Sequence, residues 1–271
     1  MNRRAGSATI SGLIAVIAFS LLGMAPATSS PIVTPAVVGG HDAPAGSWPS
    51  IVAIGEVGLS AHRGAFCGGT LIDSRWVVTA AHCVYDFGAR DLKVFVGRTS
   101  LRSREGEQAR VQRIEIARWN RRNDRNDIAL LKLRGPVSAP PMALVTDAND
   151  YRADNPAQIA GWGATTPRGR GYPDHLKEGT VLIEKFRACN RIYDWDLRKN
   201  KQVCAGFDDG VSVVDTCTGD SGGPLTVTDG FGVRRLAGIT SFGGQRCGEE
   251  PGVYTRTLGY NAWISRTIAS S

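Results

Sequence analysis

A chain of 271 residues with 42% hydrophobic residues can fill one large core or two small ones, and its 33 glycines and 13 prolines imply many turns. That composition excludes a disordered or collagen-like chain, and no period of about 20 to 50 residues recurs that would mark a solenoid or propeller. The formal charge is +7, of which residues 37–271 carry +5, a mildly basic balance from scattered arginines that does not describe a nucleic-acid binder.

Residues 1–27 have the pattern of an export signal. Arg3 and Arg4 form a short positive region, Ile10 to Ala25 (ISGLIAVIAFSLLGMA) is uncharged and mostly apolar, and Ala25-Pro26-Ala27 offers the small residues that signal peptidase accepts. The apolar run falls short of the roughly 20 residues that cross a bilayer. The expectation is a secreted, extracellular protein with no membrane attachment after signal removal. Export makes oxidised cysteines the natural reading of Cys67, Cys83, Cys189, Cys204, Cys217 and Cys247. Six cysteines allow fifteen pairings, and spacing alone does not choose among them. No C-x-x-C or H-x-x-x-H spacing supports zinc as the alternative.

Short apolar or alternating runs then follow one another. They are RWVVTAA (75–81), LKVFVG (92–97), ARVQRIEIARW (109–119), IALLKL (128–133), AQIAGWG (157–163), TVLIEK (180–185), RLAGITSFG (235–243) and GVYTRT (252–257). Turn residues separate most of them, which predicts an all-β sandwich or barrel. Alternation in 109–119 is imperfect. The basic cluster Arg121 to Arg125 (RRNDR) is broken by Asp124 and reads as a solvated loop. Residues 134–152, rich in proline and polar groups, read as the linker between two halves. At the end, Tyr260, Trp263, Ile264 and Ile268 share one helical face, so a terminal helix is expected to dock on the β body.

The stretch DTCTGDSGGP (215–224) raises the possibility of chemistry. A serine hydroxyl such as that of Ser221 is a weak nucleophile unless a base lies within hydrogen-bond reach. Of the four histidines, His41, His62 and His175 sit in polar, turn-like surroundings, whereas His82 ends the apolar run RWVVTAAHC beside a cysteine. Its pKa near 6.5 suits a general base. A base needs an orienting carboxylate, and Asp127, which opens DIALLKL, would be costly to bury unpartnered. A strand cap is the alternative role for Asp127. Glycines around Ser221 permit a turn whose N–H groups, those of Gly219 and Ser221, could converge on an oxyanion.

Taken together, VVGG (37–40), TAAHC (79–83), DIALL (127–131), GWG (161–163), GDSGGP (219–224), SFGG (241–244) and PGVYTR (251–256) resemble the trypsin/chymotrypsin family of serine proteases. The resemblance runs from residue 37 to the tail. It implies two six-stranded antiparallel β-barrels, the first over about 37–140 and the second over about 150–258, with a C-terminal α-helix over about 259–269. His82, Asp127 and Ser221 would form the triad, in the roles known for this family. The same resemblance pairs Cys67–Cys83, Cys189–Cys204 and Cys217–Cys247.

The resemblance also implies a specificity and a trigger. Asp215 matches the base of the primary pocket, with Gly243 and Gly252 on its walls, so cleavage is expected after Arg or Lys. Ser241 and Gly243 match the strand that pairs with the substrate backbone, and Phe242 stands where a tryptophan is the norm. Asp124 falls where relatives shape the next pocket, which suggests a basic or polar residue before the cleaved Arg or Lys. Val37 matches the new amino terminus that pairs with Asp220 on activation, making Thr28 to Ala36 a short propeptide of a zymogen. The bond after Ala36 is not one that an Arg/Lys-specific enzyme cuts, so another protease, or signal peptidase cutting further along, is expected to release Val37. Polypeptide substrates, protein inhibitors and a monomeric state are expected, with no cofactor. In the loop where some relatives hold calcium, Gly97 to Glu107, Arg98 replaces the glutamate wanted there, and no metal is expected.

Overall fold

In the computed structural model, the structure describes residues 37–194, 196–208 and 213–270. The expected signal and propeptide, 1–36, lie outside them. A two-residue strand, β1 (His41–Asp42), comes first. Six strands then close a barrel: β2 (Ile51–Glu56), β3 (Ala65–Asp73), β4 (Trp76–Thr79), β5 (Leu92–Val96), β6 (Glu107–Ile116) and β7 (Ala129–Leu133). Their order is β2-β3-β4-β7-β6-β5, with β5 returning to β2.

The second half holds β8 (Pro156–Gly161), β9 (Lys177–Ile183), β10 (Gln202–Asp208), β11 (Val213–Val214), β12 (Pro224–Thr228), β13 (Arg234–Phe242) and β14 (Gly252–Arg256). The order β9-β8-β12-β13-β14-β10 is closed by pairing of β9 with β10, giving a second six-stranded barrel. β1 adds to the edge of β9 and β11 to β10. The fold is therefore the expected all-β pair of antiparallel barrels.

Inward-facing side chains explain closure. Ile54, Leu71, Val78, Phe95 and Leu131 fill the first barrel, and Ile159, Val181, Ala205, Leu225 and Tyr254 the second, all nearly or fully buried. Each large aliphatic side chain so buried contributes about 1.5–3 kcal/mol. The uneven alternation of 109–119 has a local cause: the register of β6 on β7 shifts between Val111 and Arg113, so the side-chain phase slips there.

Several strands gave no sequence signal. β2 is buried on five consecutive residues, as in a run with both faces covered. β3 carries Gly68 and Gly69, and β12 opens on Pro224. The run 75–81 is cut short: β4 ends at Thr79, and a one-turn helix, α2 (Ala81–Val84), follows a first short helix, α1 (Ala61–Gly64), in chain order. His82 thus stands in α2 rather than at a strand end.

The linker 134–152 is held against the second barrel by Val145 N–H to Leu236 O, 3.0 Å, and Leu236 N–H to Ala143 O, 2.9 Å. After α3 (Phe186–Ile192), the last element is α4 (Asn261–Ala269). Ile264 in α4 and Tyr260 just before it join the first barrel's apolar cluster, with Trp263 and Ile268 packed beside them. Three disulfides, Cys67–Cys83, Cys189–Cys204 and Cys217–Cys247, use all six cysteines.

Candidate active site

Two residues before β7, Asp127 is fully buried. Its Oδ1 accepts from His82 N–H at 2.9 Å, and its Oδ2 accepts from His82 Nδ1 at 2.8 Å and Ser241 Oγ at 2.5 Å. Three donors around one carboxylate satisfy its oxygens in a dry site. α2 makes this possible by turning the chain after β4, so that both the backbone and the ring of His82 reach the same side chain. With Nδ1–H committed to Asp127, the lone pair of Nε2 is left for a proton.

The ring of His82 keeps 28% of its side-chain surface exposed. Burial pushes its pKa down, but the hydrogen bond and charge of Asp127, with the charge of Asp124, carry it above the ordinary 6.5. Asp124 is itself pushed up, by burial first and then by Asp127, while a 3.2 Å hydrogen bond from Trp119 Nε1 opposes the shift. This second carboxylate, coupled to the imidazole, was not legible as such in the sequence. The other three histidines are peripheral: His62 bonds Asp174, His41 approaches Glu178 and His175 approaches Asp42.

Ser221 sits in a loop pinned between the barrels. Its carbonyl accepts from Gly68 N–H at 2.7 Å, and Gly222 N–H donates to Thr240 O at 2.8 Å. Gly222 has φ +80°, and a Cβ there would lie 2.2 Å from Thr79 Oγ1, so glycine is required by both conformation and space. Gly219 has φ +97°. Among the described residues, the N–H groups of Gly219 and Ser221 donate to no protein acceptor. Nor does a hydrogen bond join Ser221 Oγ to His82 among the described residues.

Beside Ser221 opens a narrow cavity of about 160 Å³, lined among others by Asp215, Ser241, Phe242, Gly243 and Gly252. Larger depressions exist elsewhere, but none of them holds a buried carboxylate next to the serine. Asp215 is 3% exposed and accepts from Thr216 N–H at 2.8 Å and Gly248 N–H at 3.0 Å. Burial raises its pKa to about 7 despite those donors. A Cβ at Gly252 would stand 2.9 Å from Asp215 Oδ1, whereas one at Gly243 would meet nothing within 4 Å. Gly252 therefore makes room for the carboxylate itself, and Gly243 leaves the passage open. The Cys217–Cys247 disulfide braces the wall.

Asp220, 1% exposed, lies behind Ser221 and accepts from Cys217 N–H at 2.9 Å and Gly163 N–H at 2.8 Å. Burial raises its pKa to about 6. A Cβ on Gly161 or Gly163 would collide with its carboxylate, which explains the glycines of GWG. Val37 is fully buried in the second barrel's core, with φ +54°. The sulfurs of Cys67 and Cys83 and the His82 ring lie within 4.8 Å of one another, but sulfurs bonded to each other offer no thiolate to a metal. In the loop 97–107, Arg98 Nη1 donates to Ser103 O at 2.8 Å.

A trypsin family model matches residues 37–264. A trypsin from Saccharopolyspora erythraea is 36% identical over 228 residues, covering 83% of this chain and 94% of that protein. Snake venom serine protease 2 from Protobothrops jerdonii is 37% identical over 222 residues, with 77% and 80% covered. Serine protease 56 from Mus musculus is 34% identical over 243 residues; the match takes in 86% of this chain but only 39% of that longer protein.

Proposed function

The chain belongs to the trypsin family of serine proteases, and we propose that it is a secreted endopeptidase, made as a zymogen, that hydrolyses peptide bonds after Arg or Lys. The observation that carries the specificity is the buried Asp215 carboxylate on the floor of the cavity beside Ser221, for which no cation is supplied among the described residues. A guanidinium or ammonium entering the cavity provides the missing partner. An apolar side chain leaves the charge, or a proton taken up from water, without one.

In this reading Ser221 Oγ attacks the carbonyl carbon and passes its proton to His82 Nε2. Asp127 holds the ring in the right tautomer and stabilises the imidazolium. The free N–H groups of Gly219 and Ser221 receive the negative charge on the carbonyl oxygen. Collapse expels the amine, which takes the proton from His82, and leaves an acyl-enzyme. Water, activated by the same imidazole, then hydrolyses the ester. Ser241 has two roles here: its hydroxyl holds Asp127, and its backbone, with that of Gly243, pairs with the substrate.

Residues 1–27 act as signal, 28–36 as propeptide and 37–271 as peptidase domain. Among the described residues, no helix is long and apolar enough to cross a membrane. Activation frees the ammonium of Val37 for the buried Asp220, which has no cationic partner among the described residues, and a protease other than this one cuts after Ala36. The active form is a monomer that protein inhibitors can block. The test is cleavage of matched peptides with Arg, Lys or Phe before the bond, alongside labelling by a serine-reactive covalent probe. Cleavage after Phe at the Arg rate, or no labelling of Ser221 in the processed protein, would sink the reading.

A further inference from the structure

A second cleft, of about 400 Å³, shares Thr218 with the Asp215 cavity and is lined by Gly219, Cys67, Phe66, Tyr172, His62 and Leu101 among others. There it meets a third depression of about 630 Å³, which shares His62 and Leu101 with it and is lined by Lys93, Arg98, Arg102 and Arg104. A smaller hollow of about 210 Å³, sharing Lys93 with that depression, extends the groove to Arg110. Adjoining depressions that share lining residues thus connect the cleft at Gly219 with a concentration of five basic side chains.

Of these five charges, only that of Arg102 is paired among the described residues. Asp174 bonds Arg102 and His62, and Glu107 is turned away, accepting from Ser138 N–H at 2.7 Å and Ala139 N–H at 3.0 Å. Lys93, Arg104 and Arg110 form no ion pair among the described residues. Lys93 and Arg110 stand directly opposite each other on β5 and β6, a like-charge pairing that costs stability. Lys93 Nζ and the Arg98 guanidinium both lie over the Phe95 ring, 4.9 and 4.7 Å from its centre. Burial, then the charges of Arg110 and Arg98, hold the Lys93 amine below its ordinary pKa. The Arg98 Nε is buried without a hydrogen-bond acceptor. A surface that crowds cations at its own expense is relieved by an anion from outside.

We propose that this basic groove binds an acidic stretch of the polypeptide substrate on the carboxyl-terminal side of the cut bond. The inference rests on the proposed reading in which Ser221 attacks and the Asp215 cavity takes the residue before the bond. With that side chain in its cavity, the departing half of the substrate leaves through the cleft at Gly219. Its continuation meets the cations. An extended peptide suits the groove's elongated form, and the groove's connection to the cleft at Gly219 favours the substrate itself over a separate ligand.

The experiment compares three substrates of the processed full chain: a short arginyl amide, a longer peptide with an Asp/Glu cluster at increasing distance after the Arg, and its Asn/Gln twin. At low ionic strength the acidic peptide should show about tenfold higher kcat/KM than its twin at the best spacing, an advantage lost in concentrated salt. The double substitution Arg104→Glu with Arg110→Glu should erase the advantage while the short amide is cleaved as before. Equal rates for the twin peptides on the unaltered protein overturn the inference, with no variant needed. So does an advantage that survives the double substitution. Binding of a sulfated polysaccharide without any acidic-peptide advantage overturns it in favour of a different ligand. If the short amide is not cleaved either, it is the protease reading that has failed, and the groove inference falls with it.

Discussion

Ser241, on β13 of the second barrel, donates its hydroxyl to Asp127 Oδ2 across 2.5 Å, the same oxygen that His82 Nδ1 bonds from the first barrel. One carboxylate oxygen therefore joins the two barrels at the point where their chemistry must be in register. Ser241→Ala leaves that buried oxygen one donor short, which costs about 1–3 kcal/mol of stability. The expected result is that loss in denaturant unfolding, with kcat lowered about tenfold by the looser imidazole and KM for a short amide little changed. An unchanged kcat would mean that the His82 contact alone orients the carboxylate.

In the proposed mechanism, the Asp124–His82 coupling should set the acid limit of activity. The imidazole must be neutral to take a proton, so kcat/KM falls as pH drops through the His82 pKa, which lies above 6.5. Asp124→Leu removes one of the charges holding the proton on the ring, so the acid limb should move to lower pH. The same change should abolish a preference for a basic or polar residue before the cleaved Arg or Lys. A peptide-library profile that is apolar there, and the same in Asp124→Leu, contradicts the second expectation. A pH profile that does not move contradicts the first.

These two relationships also show what a sequence carries and what it withholds. The loop around Ser221 was readable because glycine and aspartate are forced on it. Gly222 has no room for a Cβ, and Asp215 and Asp220 lie in sites where Gly252, Gly161 and Gly163 exist to admit them. Such constraints leave fixed letters at fixed spacings. The strands β2 and β12 left none, because a fully buried run and a proline-led strand lose the alternation that marks a half-exposed one. The hydroxyl of Ser241 on Asp127 was invisible for another reason. It is a contact between residues 114 positions apart, and only barrel closure and docking create it.

Asp215 should make inhibitor binding depend on pH in the neutral range. Its pKa is raised to about 7 in the free protein, and only the ionised form offers a guanidinium its partner. Affinity for a small guanidinium-bearing competitor should therefore weaken about tenfold per unit as pH falls below 7, and binding near pH 7 should release protons. Calorimetry in buffers of different ionisation enthalpy reads that release directly. In Asp215→Ser both effects should vanish, and cleavage after Arg should fall about 10⁴-fold, while the covalent probe still labels Ser221. Equal proton release in the variant would assign it to another group.

Asp220 is the remaining buried acid, and it makes the proposed activation measurable as a stability difference. In the chain that still carries Ala36, Val37 has no ammonium, and burial holds the Asp220 pKa near 6, above the 3.8 of an unfolded aspartate. A raised folded pKa means that the native state binds the proton more tightly than the unfolded one. Stability from this group is then full below 3.8 and lost as pH rises through 6, by about 3 kcal/mol. Cleavage after Ala36 supplies a cation, favours the ionised carboxylate and should remove that decline. Melting curves of intact and cleaved protein should therefore diverge above pH 6, the cleaved form being the more stable. In Asp220→Asn the two forms should melt alike and cleavage should give no gain in activity. The intact chain incubated alone should remain intact, because in the proposed reading the Asp215 pocket selects Arg or Lys and not Ala36. Rapid self-processing at that bond, or coincident melting curves in the unaltered protein, would remove Val37 and Asp220 from the trigger.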